Sequence, residues 1–170
     1  MHTARLHLRR VAEDDWQSIR DIWVDAKSSI YAKYDICHDT SDEAVRLRVA
    51  KWANANRGND HIFFAVCLSG KVIGYVSLNI RDNGYEAGYC FHSAYHGKGY
   101  AKESILTLIS YIRTLGSKYL YARTALDNTP SVNLLKSVGF KLTGTEKVSF
   151  YKDSLGNDIV FDGGIFEYGC

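Results

Sequence analysis

Hydrophobic and polar positions alternate at the start of the chain and then change to a helical period. Leu6 and Leu8 stand between polar or charged neighbours, which is the pattern of a strand with one buried face. The acidic segment 12–16 (AEDDW) opens a helix, because acids are favourable at the positive end of the helix dipole. The apolar positions that continue this helix on one face are Ile19, Ile22, Trp23, Ala26 and Ile30.

A capping signal and another apolar stripe predict a second helix. Thr40 and Glu43 stand three residues apart, the spacing of a capping box. Val45, Val49 and Trp52 follow at helical spacing. Two helices are therefore expected after the first strand.

Three strands separated by turn signals come next. Segments 61–68, 72–80 and 85–91 are rich in β-branched and aromatic residues, and SGK at 69–71 and DNG at 82–84 separate them. This order predicts an antiparallel meander. In the third strand Glu86, Gly88 and Cys90 lie on one face, and the opposite face carries Tyr85, Ala87, Tyr89 and Phe91.

The second half of the chain predicts two helices, one strand and a hairpin. Ile105, Leu108, Ile109 and Ile112 mark a helix that Gly116 can end, and segment 118–124 is the strand after it, so the strands around this helix should pair in parallel. Asn128 or Thr129 can cap a short helix with Pro130 at its first position and Gly139 at its exit. The tail predicts two strands joined at 154–158 (SLGND).

These elements define an α/β fold with a mixed, mostly antiparallel sheet flanked by helices, and composition limits its class. At 170 residues with 46% hydrophobic content, one domain spanning 1–170 is expected. The net charge of +2 gives no case for a nucleic-acid or membrane partner. Four cysteines without paired spacing and the lack of a signal-peptide pattern predict a reduced, cytoplasmic protein.

The segment 94–105 (AYHGKGYAKESI) places two glycines directly before a helix. The first N–H groups of a helix have no internal partner, so glycines there allow an anion such as a phosphate to approach the backbone. Lys98 is followed by Gly99 rather than Ser or Thr, which excludes a Walker loop. A dinucleotide-binding fingerprint is also excluded, because the chain lacks its third glycine and does not open with a βαβ unit.

Two motifs in this order of elements resemble the GNAT superfamily of acetyl-CoA-dependent N-acetyltransferases over nearly the whole chain. HGKGYA at 96–101 resembles the Gln/Arg-x-x-Gly-x-Gly/Ala pyrophosphate loop, with His96 in the Gln/Arg place. DNTPSVNLLKSVGF at 127–140 is similar to the Asn-x-x-Ser…Lys-x-Gly-Phe segment of the branch that includes ribosomal-protein N-terminal (serine/alanine) acetyltransferases.

The resemblance implies where acetyl-CoA binds. The strand that ends at Cys90 and Phe91 would splay from the next strand, and its free edge would pair with the pantetheine amides. Asn128 is either a ligand contact or only a helix cap. The pyrophosphate loop would comprise His96, Gly97, Lys98, Gly99, Tyr100 and Ala101.

The resemblance also suggests which residues take part in catalysis. Glu86 is either a general base that takes a proton from the attacking ammonium or a solvated, ion-paired strand residue. Many relatives carry a tyrosine as general acid where this chain has Leu135, and Ser131, one turn earlier, is either a donor to the leaving sulfur or a structural cap. Direct transfer is favoured over an acyl-Cys90 route, and no metal is expected.

Two classes of function remain open at this stage. The leading hypothesis is an N-acetyltransferase that moves acetyl from acetyl-CoA to a primary amine, either a protein N-terminus or a small molecule. Tyr31, Tyr34 and Trp52 either line the acceptor pocket or pack in the core. The alternative is a CoA-binding module with little catalytic activity. The sequence does not specify the acceptor, the preferred acyl-CoA or whether the protein is a monomer or a homodimer.

Overall fold

A seven-stranded mixed sheet with four helices forms the architecture in the computed structural model, which describes residues 1–170. The strands, in chain order, are β1 (Leu6–Arg10), β2 (His61–Leu68), β3 (Lys71–Arg81), β4 (Gly84–Phe91), β5 (Tyr119–Ala125), β6 (Lys141–Lys152) and β7 (Asp158–Gly169). The helices are α1 (Trp16–Lys27), α2 (Asp42–Ala55), α3 (Tyr100–Thr114) and α4 (Thr129–Ser137).

The strand order across the sheet is β1-β2-β3-β4-β5-β7-β6. β1 to β4 pair antiparallel in sequence, which confirms the predicted meander. β4 and β5 pair in parallel because α3 connects them, and β7 lies antiparallel between β5 and β6. The predicted mixed, mostly antiparallel α/β fold is therefore confirmed.

Each face of the sheet carries its own hydrophobic core. The larger core holds 22 buried residues, among them the inward stripes of α3 and α4, including Ile105, Leu108, Val132 and Leu135. The smaller core holds 10 buried residues, among them Trp23 of α1 and Trp52 of α2. Because successive strand residues point to opposite faces, both cores share the central strands β2 and β3.

The connection between α1 and α2 differs from the sequence prediction at both ends. α1 ends at Lys27, and Ile30 is 78% exposed instead of continuing the buried stripe, because two serines follow the last turn. α2 begins at Asp42 with Ser41 as its N-cap, so the capping box from Thr40 to Glu43 does not form. The Thr40 hydroxyl instead accepts a hydrogen bond from Lys27 Nζ at 3.0 Å.

The remaining predicted elements agree closely with the structure. Asn128 is the N-cap of α4, and Gly116 follows the end of α3 with a positive φ of 73°. The hairpin of β6 and β7 turns within 153–157. None of the helices is both long enough and apolar enough to cross a membrane.

Candidate active site

The sheet opens between β4 and β5. Paired residues run in register from Gly84 and Tyr119 to Ala87 and Ala122, and there the pairing ends. β4 nevertheless continues to Phe91 and β5 to Ala125, so the two strands diverge over their last residues. The predicted splay is confirmed, and it leaves the last residues of β4 without a strand partner on the side that faces β5.

The loop before α3 closes one end of this opening. Gly97 and Gly99 have φ values of 71° and 81°, a left-handed conformation that other residues rarely adopt. No atom lies within 4 Å of the position that a Cβ on Gly97 would occupy, so this backbone is accessible. The N–H groups of Tyr100, Ala101 and Lys102 begin the helix and have no partner within it. The loop therefore presents several donors at the positive end of a 15-residue helix.

Side chains on both sides hold this loop in place. His96 Nε2 lies 2.8 Å from the Phe91 carbonyl oxygen, to which it donates, so the ring ties the loop to the end of β4. Lys98 Nζ donates to the Ala94 carbonyl at 2.9 Å. Both predicted residues thus lie at the loop, and each is bonded to a backbone carbonyl: the carbonyl that His96 binds is at the end of β4, and the one that Lys98 binds lies within the segment between β4 and α3.

Arg5 is a loop residue that the sequence did not reveal. Its Nη1 donates to the Lys98 carbonyl at 2.9 Å, and its Nε donates to Glu103 Oε2 at 2.8 Å. The guanidinium also lies 4.6 Å from the centre of the Tyr100 ring. An arginine nearly 100 residues away in sequence has no local signal that would connect it to the loop. It supports the loop from β1's side of the sheet.

Ser131 and Tyr89 meet across the opening. The Ser131 hydroxyl, in the first turn of α4, lies 2.6 Å from the Tyr89 hydroxyl on β4. The Asn128 side chain accepts a hydrogen bond from the Ser131 N–H at 3.4 Å, so its role as a cap is confirmed. Leu135 is fully buried in the larger core and presents no polar group at this place. Burial raises the pKa of Tyr89 to about 12, against the opposing effect of the hydrogen bond with Ser131.

Glu86 lies on the opposite face of β4, in its paired part. Its carboxylate accepts from Arg81 Nε at 2.7 Å and from Arg81 Nη2 at 2.5 Å, across the turn between β3 and β4. Glu86 is half-buried while Arg81 is exposed. The ion-paired state that the sequence left open is therefore present, and it keeps a carboxylate on the same face as Gly88 and Cys90.

Cys90 lies in the part of β4 that no longer pairs with β5, on the face of the sheet that α1 covers. Burial is the main cause that raises the pKa of its thiol to about 12. A protonated thiol is a poor nucleophile, so this environment does not favour an acyl-cysteine. Next to it, Asp25 of α1 accepts from the Ser93 N–H at 2.7 Å and from the Ser93 hydroxyl at 2.6 Å. These bonds outweigh burial and lower the pKa of Asp25, whose charge fixes the segment between β4 and α3.

The predicted aromatic cluster separates into two places. Trp52 packs in the smaller core, stacked on Phe63 at 4.4 Å between ring centres. Tyr34 instead lies 5.2 Å from the Phe161 ring of β7, and its hydroxyl donates to Asp127 at 3.4 Å. The connection between α1 and α2 thus meets the hairpin of β6 and β7, where Tyr151 also donates to the Asp35 carbonyl at 2.5 Å.

No three residues of the types His, Cys, Asp and Glu come together in an arrangement that could hold a metal ion. His92, which alternates with Cys90 in sequence, instead lies beside Asp25, with 3.8 Å between Nδ1 and Oδ1. The site therefore consists of the splayed strands, the glycine loop and hydroxyl and carboxylate side chains around them.

Comparison with known proteins identifies the class that this fold and site define. The profile of the acetyltransferase (GNAT) domain matches residues 5–141, so the chain belongs to the GNAT acetyltransferase family. Members of this family are acyltransferases that use acetyl-CoA as cosubstrate, and both predictions are confirmed. The chain is 28% identical over 148 residues to the uncharacterized N-acetyltransferase p20 of Bacillus licheniformis, covering 85% of this chain and 83% of that relative.

Solved structures share the same fold over nearly the whole chain. The ribosomal-protein α-N-acetyltransferase RimL superposes with a TM-score of 0.85 at 18% identity, covering 99% of this chain and 92% of that one. The microcin C7 self-immunity acetyltransferase MccE, in complex with acetyl-CoA and AMP, superposes with a TM-score of 0.82 at 18% identity, covering 99% and 94%. At this identity the likeness concerns the fold.

Proposed function

We propose that this protein transfers the acetyl group of acetyl-CoA directly to a primary amine. The observation that carries the proposal is the opening between β4 and β5, closed at one end by the glycine loop and the start of α3. This opening combines a strand edge that has no pairing partner with a cluster of N–H donors at the start of a helix. Acetyl-CoA, with a pyrophosphate, two amides and a thioester in line, matches that combination.

The residues at the opening fit the cosubstrate part by part. The backbone donors of the loop at residues 97–101 would hold the pyrophosphate, because donors at the positive end of a helix favour an anion. The free edge of β4 around Cys90 and Phe91 would pair with the pantetheine amides, as an added strand does. MccE binds acetyl-CoA on the same fold, which supports acetyl-CoA as the ligand of this protein.

Bound acetyl-CoA supplies an activated acetyl thioester, and the protein must supply a neutral amine and a stabilised leaving sulfur. Glu86 presents a carboxylate on the face of β4 that also carries Gly88 and Cys90. It would take the proton of the ammonium directly or through water. Ser131 would donate to the sulfur from the other side of the sheet. The raised pKa of Cys90 supports direct transfer without an acyl-cysteine.

The acceptor would enter where the connection between α1 and α2 meets the hairpin of β6 and β7. Tyr34 and Phe161 form an aromatic wall there, beside the carboxylate of Asp127. Aromatic faces and a carboxylate are suited to a cationic amine. The likeness to RimL, a ribosomal-protein α-N-acetyltransferase, favours a protein N-terminus as the acceptor of this protein. A small-molecule amine would bind to the same aromatic wall and carboxylate.

The setting of the enzyme follows from its surface and its thiols. We place the protein in the cytoplasm, because all four cysteines are free and two of them are exposed. The interspersed charges offer no surface for nucleic acid. A homodimer is compatible with this proposal.

A release assay for free CoA tests the proposal. Acetyl-CoA is incubated with the protein and a panel of amines and of peptides that differ in their first residue, and the product is identified by mass. We expect an acetylated amine in equal amount to the released thiol. Binding of acetyl-CoA without turnover on any amine would favour the alternative, a CoA-binding module. Propionyl-CoA and acetyl-CoA in the same assay establish the preferred acyl group.

A further inference from the structure

Two hydroxyl groups lie together where the strands diverge. Tyr89 follows the last paired residue of β4 by two positions, and Ser131 stands in the first turn of α4 behind β5. Their oxygens are 2.6 Å apart, and neither hydroxyl makes another hydrogen bond to the protein. The contact therefore joins the two walls of the opening at the level where its backbone pairing ends.

The number of protons in this pair limits what it can do. Two hydroxyls carry two protons, and their mutual bond uses one of them, so one O–H is left to point elsewhere. A lone serine hydroxyl rotates freely, whereas a serine that accepts from Tyr89 has a preferred direction for its own proton. Hydrogen bonds in such a chain also polarise one another.

We propose that Tyr89 is a positioning residue that orients the Ser131 hydroxyl toward the sulfur of acetyl-CoA, so that the pair does the work of the tyrosine that Leu135 replaces. The inference rests on the proposed function, because it assumes that the thioester lies in the opening between β4 and β5. Tyr89 acts through Ser131, and only Ser131 touches the sulfur.

Tyr89 serves as a hydrogen-bond donor and is not the source of the proton. Burial raises its pKa to about 12, whereas an ordinary thiol has a pKa of about 8.5, so the thiolate cannot take the Tyr89 proton at equilibrium. The same shift keeps the phenol neutral at every pH below about 12. Tyr89 therefore stays a donor throughout the range in which the enzyme would be assayed.

The transfer balances with the pair as a hydrogen-bond donor alone. A bond forms between the amine nitrogen and the acetyl carbon, and the bond from that carbon to sulfur breaks with its electron pair staying on sulfur. Glu86, directly or through water, takes one proton from the ammonium before the attack, and a second proton leaves the nitrogen for water as the amide forms. The sulfur, held by Ser131, takes a proton from solvent as CoA leaves. Stabilising the developing thiolate lowers the barrier to this step.

The thiol pKa of bound CoA tests the inference without relying on turnover. It is measured by thiolate absorbance between pH 6 and pH 10, with desulfo-CoA as the blank, in the parent, Tyr89→Phe, Ser131→Ala and the double variant. We expect a bound thiol pKa below that of free CoA in the parent. Each single change should raise the bound thiol pKa by about 1, a tenfold loss in its acid dissociation constant, which is the usual size of one lost hydrogen bond. The double variant should show no further loss, because both changes remove one shared interaction.

Turnover gives the second measurement. Tyr89→Phe should lower kcat about 10-fold to 100-fold, evenly across pH 6 to 10, with the KM for acetyl-CoA unchanged. The matched control is Tyr85→Phe, which removes a hydroxyl from a buried tyrosine on the same face of the same strand and should keep parental values.

Each outcome decides between the proposals. The inference would be overturned if the thiol pKa of bound CoA were raised in Ser131→Ala but parental in Tyr89→Phe. That result would mean that Ser131 acts without Tyr89. Parental thiol pKa values in both single variants would also overturn it, although turnover by the parent would leave the proposed function standing. If the parent failed to bind CoA at all, the proposed function and the inference would both be wrong.

Discussion

At the scale of single residues, the paired state of Glu86 decides how its role can be tested. Arg81 holds the carboxylate with two hydrogen bonds, so removing the charge affects an ion pair and a potential base together. Glu86→Gln should lower kcat about 100-fold near neutral pH, because only a neutral amine attacks the thioester. The loss should shrink as the pH approaches the pKa of the amine itself. A pH–rate profile with one good acceptor measures both effects.

The control for this experiment is Arg81→Gln, which keeps the carboxylate and removes its partner. If Glu86 serves only the ion pair, both variants lose stability alike and keep parental rates, a pattern that would remove the carboxylate from the mechanism. Exposed arginine–carboxylate pairs contribute about 0–1 kcal/mol, so a modest loss of stability is expected in either case.

Cysteine reactivity provides a second prediction at this scale. A pKa of about 12 leaves Cys90 protonated at pH 7.5, with a thiolate fraction on the order of 1000-fold below that of an ordinary thiol. Limited alkylation of the native protein should therefore modify the exposed Cys37 first and leave Cys90 nearly untouched. The rate at Cys90 should rise about tenfold per pH unit below pH 12. Peptide mass analysis gives the order, and equal labelling of Cys37 and Cys90 would reopen the acyl-cysteine route.

Residues of the site could be predicted only where a local pattern carries them. Period-two alternation placed Glu86 and Tyr89 on opposite faces of β4, because side chains of a strand can point in only two directions. The partner of Tyr89 is 42 positions away, and Arg5 is 93 positions from the Lys98 carbonyl that it binds. Such contacts depend on how elements distant in sequence pack together, and no local sequence pattern encodes that packing.

At the scale of elements, the glycine loop can be tested through its backbone conformation. Gly97→Ala and Gly99→Ala each place a Cβ on a residue with positive φ, which forces the loop out of the shape that presents its N–H groups. We expect acetyl-CoA affinity to fall by about tenfold or more, with kcat at saturation less affected. Isothermal titration with acetyl-CoA measures the loss.

The matched control for the loop is Gly116→Ala, at the opposite end of α3. Gly116 also has a positive φ, of 73°, and has open space where a Cβ would stand. This change should cost about as much stability as the loop changes, roughly 1 kcal/mol, and leave affinity unchanged. Loop variants that bind acetyl-CoA as tightly as Gly116→Ala does would show that the pyrophosphate is held elsewhere.

Element boundaries were predictable where turn residues mark them. They were not predictable where a capping side chain forms a hydrogen bond with another partner instead. Gly70, with a φ of 84°, and the Asp82-Asn83 turn mark the ends of β2, β3 and β4, because glycine, aspartate and asparagine are favoured in turns. The start of α2 was predicted wrongly because Thr40 bonds to Lys27, a residue of another helix. The apolar character of Ile30 suggested a longer α1, but its side chain stays exposed beyond the helix end.

At the scale of the whole molecule, two cores on one sheet raise the question of how many units unfold. All three tryptophans belong to the smaller core or pack against it, so their fluorescence reports the layer of α1 and α2. The glycine loop before α3 belongs to the other layer, together with α3. Since β2 and β3 contribute to both cores, we expect residues 1–170 to unfold as one cooperative domain.

Acetyl-CoA makes this expectation measurable. At 100 times its Kd, a ligand that binds only the folded state adds about 2.7 kcal/mol of stability, which for a chain of this size is a rise in Tm of about 5–11 °C. Thermal unfolding is followed by tryptophan fluorescence and by far-ultraviolet circular dichroism, with and without the ligand. The two probes should give one Tm and shift together, even though the tryptophans lie on the face away from the loop. Two separate transitions, of which the ligand moves only the circular dichroism one, would show that the layers unfold independently and that the single-domain expectation is wrong.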